Sequence, residues 1–235
     1  MVSRFLKRRG RGLKAPGWAY GLGLLCVKLA AAAALIAASP VQAGDMLKIL
    51  ALGDSLTAGY GLSDSESYPV KLQAALKAKG IDAQVINGGV SGDTSAGGLA
   101  RLDWALQDDP DIVIVELGAN DGLRGLDPVN TQENLDAVLK RLTDDKRAVL
   151  LTGMLAPPNM GRDYGDAFKK IYPALAAKYG VRLYPFFLDG VAADPALNQA
   201  DGIHPTGAGV DIIVARILPD IMAVIDALRG TASGG

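Results

Sequence analysis

From residue 44 onward the chain alternates two patterns: short runs of consecutive apolar residues, and longer stretches in which apolar residues recur every three or four positions. The runs are Leu47 to Leu52, Ala83 to Ile86, Asp111 to Leu117, Ala148 to Thr152 and Val181 to Tyr184. Each is too short for a buried helix, and unbroken apolarity without alternation marks strands covered on both faces, as in a parallel sheet. The stretches between them carry helical spacing: Val70, Leu72 and Leu76; Leu99, Leu102 and Leu106; Val129, Leu135, Val138, Leu139 and Leu142; Phe168, Ile171, Leu175 and Tyr179. Asp127 and Pro128 have the form of a cap followed by proline in the first helical turn. Pro173 is expected to kink its helix. Thr206 is expected to cap a last helix from about Gly207 to Leu228, bent at Pro219, with a frayed tail from Gly230 to Gly235.

Five strands alternating with helices predict an α/β fold, a three-layer α/β/α sandwich around a five-stranded parallel sheet. In such sheets ligands bind beyond the carboxyl ends of the strands. The unusual residues fall at that edge: Gly53 to Ser55 after the first strand, Gly88 to Thr94 after the second, Gly118 to Gly122 after the third, and Asp201 to His204 before the last helix. No internal repeat, low-complexity tract or second domain is evident.

The first 43 residues follow another rule. Arg4, Lys7, Arg8, Arg9, Arg11 and Lys14 precede a short apolar run from Leu29 to Ala38, and Val41, Gln42 and Ala43 resemble a small-residue cleavage site. This predicts an export signal over 1–43, removed near Gly44, and a single domain over 44–235. Lys28 interrupts the apolar stretch, which argues against a retained anchor; a span needs about 20 residues. Arg11 and Gly12 stand where a twin-arginine signal would be apolar. The expected location is periplasmic or secreted. Cys26 would leave with the signal, so the remaining chain has no thiol and must be stabilised by its core.

Removing this segment changes the charge. Seven of the 24 basic residues and none of the 25 acidic ones lie in positions 1–43, which leaves 17 against 25 and a net charge of −8. That surface does not suit nucleic acid.

The chain has one histidine, His204, three residues after Asp201. It is the only side chain here whose ordinary pKa suits acid–base work near neutral pH. A serine becomes a useful nucleophile when a base lies within hydrogen-bond reach and a third group orients that base. Ser55, after a strand and a glycine, is the candidate nucleophile; His204 and Asp201 are the candidate base and orienting acid. Read singly, each has a duller explanation as a turn, cap or structural residue. Gly92 could bring a backbone amide close, and Asn120 offers a side-chain amide, to a developing oxyanion.

Taken together, LGDSLTAG at Leu52 to Gly59, SGDTS at Ser91 to Ser95, ELGANDGLRG at Glu116 to Gly125 and DGIHP at Asp201 to Pro205 resemble the GDSL, or SGNH, hydrolase family in order and spacing. The nearest resemblance is to its periplasmic acyl-CoA thioesterase, lysophospholipase and arylesterase branch, and it covers the whole of residues 44–235. It implies a flavodoxin-like fold, Ser55, Asp201 and His204 as catalytic residues, and an oxyanion hole from Ser55, Gly92 and Asn120. It also implies that Gly122 to Leu126 is a loop that moves on acyl binding. Two local departures stand out. Gly88 and Gly89 replace larger residues, which predicts a more mobile loop; Thr57 stands where the GxSxG elbow has its second glycine, which disfavours the α/β-hydrolase superfold.

The expected reaction is hydrolysis of carboxylic esters or thioesters through an acyl-serine, without cofactor or metal. The expected substrates are small acyl esters, thioesters or lysophospholipids, met by a monomer with no stable membrane anchor. Gly122, Leu123, Leu126, Leu155 and Pro157 are the candidate acyl contacts. The alternatives are an O-acetyl esterase on the same residues, a metal-dependent phosphoesterase using Asp54, Asp121, Asp201 and His204, and a binding protein without catalysis.

Overall fold

A computed structural model describes residues 46–232; the segment read as an export signal lies outside them. Five strands form one sheet: β1 (Leu47–Gly53), β2 (Ala83–Gly89), β3 (Ile112–Glu116), β4 (Ala148–Thr152) and β5 (Arg182–Tyr184). All pair in parallel in the order β2-β1-β3-β4-β5. This is the flavodoxin-like order, and the chain direction across the sheet reverses between β1 and β3, where a crevice opens beyond the strand ends.

The helices are α1 (Ser55–Ala58), α2 (Tyr68–Ala78), α3 (Ser95–Ala100), α4 (Leu102–Ala105), α5 (Ala119–Leu123), α6 (Pro128–Asp144), α7 (Arg162–Tyr179) and α8 (Gly207–Ala232). Helix α2 packs on α8, while α6 packs on both α3 and α7. Right-handed crossovers place these two groups on opposite faces of the sheet. Every residue of β3 is buried, as its apolar run Ile112 to Val115 requires.

Several boundaries and faces differ from the sequence reading. Val70 and Val129 are exposed although Leu72, Leu76, Leu135, Val138, Leu139 and Leu142 are fully buried. Val129 is six residues before Leu135, about 120° around the helix from that stripe. The single helix expected through Leu99, Leu102 and Leu106 is two short ones divided at Arg101. Arg101 is drawn to the sheet edge, where its guanidinium donates to Asp93 at 2.5 Å and to the Gly53 carbonyl at 2.8 Å. Helix α8 extends to Ala232, past the expected end at Leu228.

The largest correction concerns Gly88 and Gly89. They belong to β2, paired in register with Leu52 and Gly53. A Cβ at Gly89 would strike the Ala58 backbone, and one at Gly88 would lie 2.8 Å from the Ala51 carbonyl oxygen. Gly89 lets α1 lie close against the strand and Gly88 lets β2 lie close to Leu50 and Ala51 of β1; they are packing residues within a strand, not a mobile loop.

Candidate active site

Ser55 is the first residue of α1, directly beyond β1. Asp54 caps this helix: its Oδ1 accepts from the Leu56 amide at 2.9 Å. The turn is compact because Gly53 has no side chain; a Cβ there would collide with Thr57 Oγ1 and approach Glu116 Oε2 to 2.6 Å. Thr57, which breaks the GxSxG pattern, is buried and donates its hydroxyl to Glu116 Oε2 at 2.9 Å.

His204 and Asp201 lie in the loop before α8. Asp201 Oδ1 accepts from the amides of Ile203 and His204, both at 3.0 Å, and its Oδ2 lies 2.7 Å from His204 Nδ1. The Ile203 amide, the imidazole and the His204 amide hold this carboxyl down at about 2. An ionised carboxylate only accepts, so Nδ1 carries a proton, and in the neutral imidazole Nε2 then presents its lone pair. Ser55 Oγ is 2.9 Å from Nε2 and donates to it. The hydroxyl, the imidazole and the carboxylate, 149 residues apart in sequence at the widest, form one continuous chain of hydrogen bonds.

Gly92 follows β2 with φ +86°, a left-handed conformation that favours glycine. Space is not the constraint, since a Cβ would meet only Arg124, at 3.6 Å. The Gly92 carbonyl is tied to the Arg124 guanidinium at 2.7 Å. Asn120 lies on α5, beyond β3, and lines the same pocket as Ser55 and His204. Its Nδ2 donates to Asp54 Oδ2 at 3.0 Å and to the Asp93 carbonyl at 2.9 Å.

Beyond Ser55 opens a pocket of about 510 Å³. Leu123, Leu155 and Pro157 are among its walls, with Met154, Phe186 and Ile203; Gly122 and Leu126 are not. Gly122 is buried behind the wall, where a Cβ would lie 3.4 Å from Ala156 Cα. The Leu126 carbonyl accepts from the Tyr164 hydroxyl at 2.7 Å. Of the segment from Gly122 to Leu126, expected to be a loop, Gly122 and Leu123 are the last residues of the short helix α5.

The candidate acids of a metal site are otherwise engaged. Asp121 accepts from the Ser95 amide and hydroxyl and from Thr131, Asp54 caps α1, and Asp201 faces His204. Among the described residues no group of three or more His, Cys, Asp or Glu is arranged to hold a metal ion.

These observations bring a hydroxyl, an imidazole, a carboxylate and an apolar cavity together at the switch point of a flavodoxin-like sheet. Residues 51–212 match the GDSL-like Lipase/Acylhydrolase family model. The chain belongs to that family. It is 46% identical over 159 residues to the "Arylesterase" of Vibrio mimicus, an alignment spanning 67% of this chain and 80% of that protein. It is 45% identical over 158 residues to "Thioesterase 1/protease 1/lysophospholipase L1" of Escherichia coli K12, spanning 67% and 74%. The crystal structure of AlinE4, an SGNH-hydrolase family esterase, superposes with a TM-score of 0.66 at 50% identity, over 77% of this chain and 97% of that one. This GDSL hydrolase acts on esters.

Sequence reading passed over three residues that shape the site. Glu116 is fully buried beneath the Ser55 turn; its signal was an acid closing an apolar strand. Gln199 donates to the Tyr60 carbonyl at 2.8 Å and the Pro205 carbonyl at 2.9 Å, clamping the His204 loop to the turn after α1. Tyr60 itself packs on His204, with ring centroids 4.5 Å apart. Neither Gln199 nor Tyr60 has a signal in sequence, because both act through contacts across more than 130 residues.

Proposed function

We propose that Ser55 is the nucleophile of this esterase, His204 its general base and acid, and Asp201 the residue that fixes the imidazole tautomer. The observation that carries the reading is the unbroken path from Ser55 Oγ through His204 to Asp201, at 2.9 and 2.7 Å. Ser55 Oγ attacks the carbonyl carbon as its proton passes to Nε2, and the C=O electron pair moves onto oxygen. The Ser55 and Gly92 amides and Asn120 Nδ2 stabilise that oxyanion; Asn120 does so by sharing a hydrogen now directed at Asp54 or Asp93. Collapse expels the alkoxide or thiolate, which takes the proton from Nε2. Water then gives a proton to Nε2 and attacks the acyl-serine, and Ser55 regains the proton as the carboxylic acid leaves.

The acyl chain enters the pocket walled by Leu123, Met154, Leu155, Pro157, Phe186 and Ile203. Its apolar lining favours fatty acyl esters, thioesters and lysophospholipids over carbohydrate acetates. Export through residues 1–43 would deliver a monomer to the periplasm or beyond; none of the described helices is long and apolar enough to cross a membrane. Amino-terminal sequencing of the exported protein should begin near Gly44.

A fluorophosphonate probe tests the catalytic assignment. Wild type should be labelled and Ser55→Ala should not, while both retain the same circular dichroism. Labelling of folded Ser55→Ala at the wild-type rate would remove Ser55 from this role.

A further inference from the structure

The geometry points to a second binding subsite beside the catalytic imidazole: the free part of the Tyr60 ring is a platform for an aromatic leaving group. This rests on the catalytic reading above, and extends it to the half of the substrate that the acyl pocket does not hold.

A tetrahedral intermediate on Ser55 has three substituents besides the serine oxygen. The oxyanion faces Gly92 and Asn120. The acyl chain occupies the pocket, whose walls, apart from the catalytic residues and Leu56 beside Ser55, come from the segments after β3, β4 and β5. The leaving oxygen must face His204 Nε2 to receive its proton. Tyr60 is on the remaining side. It follows α1, on the β1–β2 half of the edge, and does not line the acyl pocket. Its ring covers one side of the imidazole at 4.5 Å and 36°, yet the residue remains 53% exposed. A group attached to the leaving oxygen therefore emerges alongside an aromatic surface that is open to solvent.

The Tyr60 backbone is held in place. The Tyr60 amide donates to the Ser55 carbonyl at 3.1 Å, and the Tyr60 carbonyl accepts from Gln199, whose own amide donates to the His204 carbonyl at 2.7 Å. Gly61 permits this: its φ is +73°, and a Cβ would collide with the Gln199 side chain. Tyr60, Ser55 and His204 thus form one fixed unit. An exposed ring, anchored through its backbone and resting against the imidazole, offers offset stacking to an aryl group. The ligand class is a phenol, benzyl alcohol or other aromatic alcohol or thiol.

The test compares benzyl butyrate with cyclohexylmethyl butyrate, which share an acyl group, a primary alcohol and a six-carbon ring but differ in aromaticity. Wild type and Tyr60→Phe should prefer the benzyl ester in kcat/KM by about two- to tenfold, the range of an aromatic pair. Tyr60→Leu, which retains apolar bulk, and Tyr60→Ala should lose that preference. An unchanged ratio in a folded Tyr60→Leu enzyme that still hydrolyses both esters would overturn the subsite and leave the catalytic reading intact. Hydrolysis of neither ester by wild type, with no fluorophosphonate labelling, would overturn both.

Discussion

Asp54 and Glu116 are both fully buried, and the Asp54 amide donates to Glu116 Oε2 at 3.4 Å directly beneath the Ser55 turn. Burial pushes both carboxyls up, Asp54 to about 6 and Glu116 well above its ordinary range, and the nearby Asp54 charge further disfavours ionisation of Glu116. The pair therefore carries at most one negative charge near neutral pH, and Glu116 holds its proton. The charge falls on Asp54, the acid with stronger donors: the Leu56 amide and the Asn120 side chain. An ionised Asp54 orients the Asn120 amide, while neutral Glu116 accepts from Thr57 and fixes the turn.

This arrangement costs stability. A carboxyl whose folded value lies above its unfolded one favours folding at low pH, and the benefit is lost as pH rises from 3.8 through about 6. The shift corresponds to about 3 kcal/mol. In Asp54→Asn that term disappears. The unfolding free energy of wild type minus that of the variant should thus fall by about 2.5 kcal/mol between roughly pH 4 and pH 7.5. Chemical denaturation at both pH values measures it, and a constant difference would show that Asp54 does not titrate there. The variant should also lose activity, since a neutral amide at position 54 places hydrogens against Asn120 Nδ2.

Asn120→Ala should separate oxyanion stabilisation from nucleophilic attack. Removing one such donor typically lowers kcat by about 10²–10³-fold, so the variant should keep slow, fluorophosphonate-reactive turnover that Ser55→Ala lacks. Wild-type kcat on a p-nitrophenyl ester would exclude Asn120 from the hole.

Most of this site was legible before any coordinates, for a physical reason. Parallel α/β sheets gather loops at one edge, so Ser55, Asn120 and the His204 loop converge on one pocket once the strands are placed. The Asp201–His204 pair is local, three residues apart, and needs no long-range packing to form. What stayed hidden depends on close approach across the fold. Gly88 and Gly89 read as loop because glycine has no side chain to show a pattern, although crowding by Ala51 and Ala58 is what demands it. The Leu99 to Leu106 helix broke because Arg101 satisfies Asp93 and Gly53, partners that helical spacing cannot reveal. Leu126 and Gly122 were placed near the acyl chain by sequence proximity, but one faces outward and the other is covered by Ala156.

The crowding at Gly89 makes a sharp prediction. In Gly89→Ala the new methyl meets backbone atoms of Thr57 and Ala58, which cannot rotate away. Such overpacking costs typically about 1–3 kcal/mol, or a fall of roughly 2–12 °C in Tm for a domain of this size. Because the displaced segment is the helix that begins at Ser55, kcat should fall more than in a control of equal destabilisation such as Ile217→Val, in the fully buried part of α8. Equal activity loss in the two, by thermal melts and ester assays run together, would mean that the strand yields instead of the nucleophile turn.

The pocket sets the dependence on acyl length. Each methylene moved from water into an apolar cavity is worth up to about 0.8 kcal/mol, a factor of roughly four in binding. Successive p-nitrophenyl esters should therefore show kcat/KM rising by up to about fourfold per carbon until the cavity of about 510 Å³ is filled, then levelling. Ala156, half-buried in the wall between Leu155 and Pro157, offers a way to shorten that series without touching Ser55, His204 or Asp201. Ala156→Phe should move the plateau to shorter esters and leave acetate hydrolysis close to wild type, because the smallest acyl group does not reach position 156. A plateau unmoved by the phenylalanine would mean that the chain lies along Phe186 and Leu188, at the β5 side of the cavity, and the corresponding substitution at Leu188 should then move it.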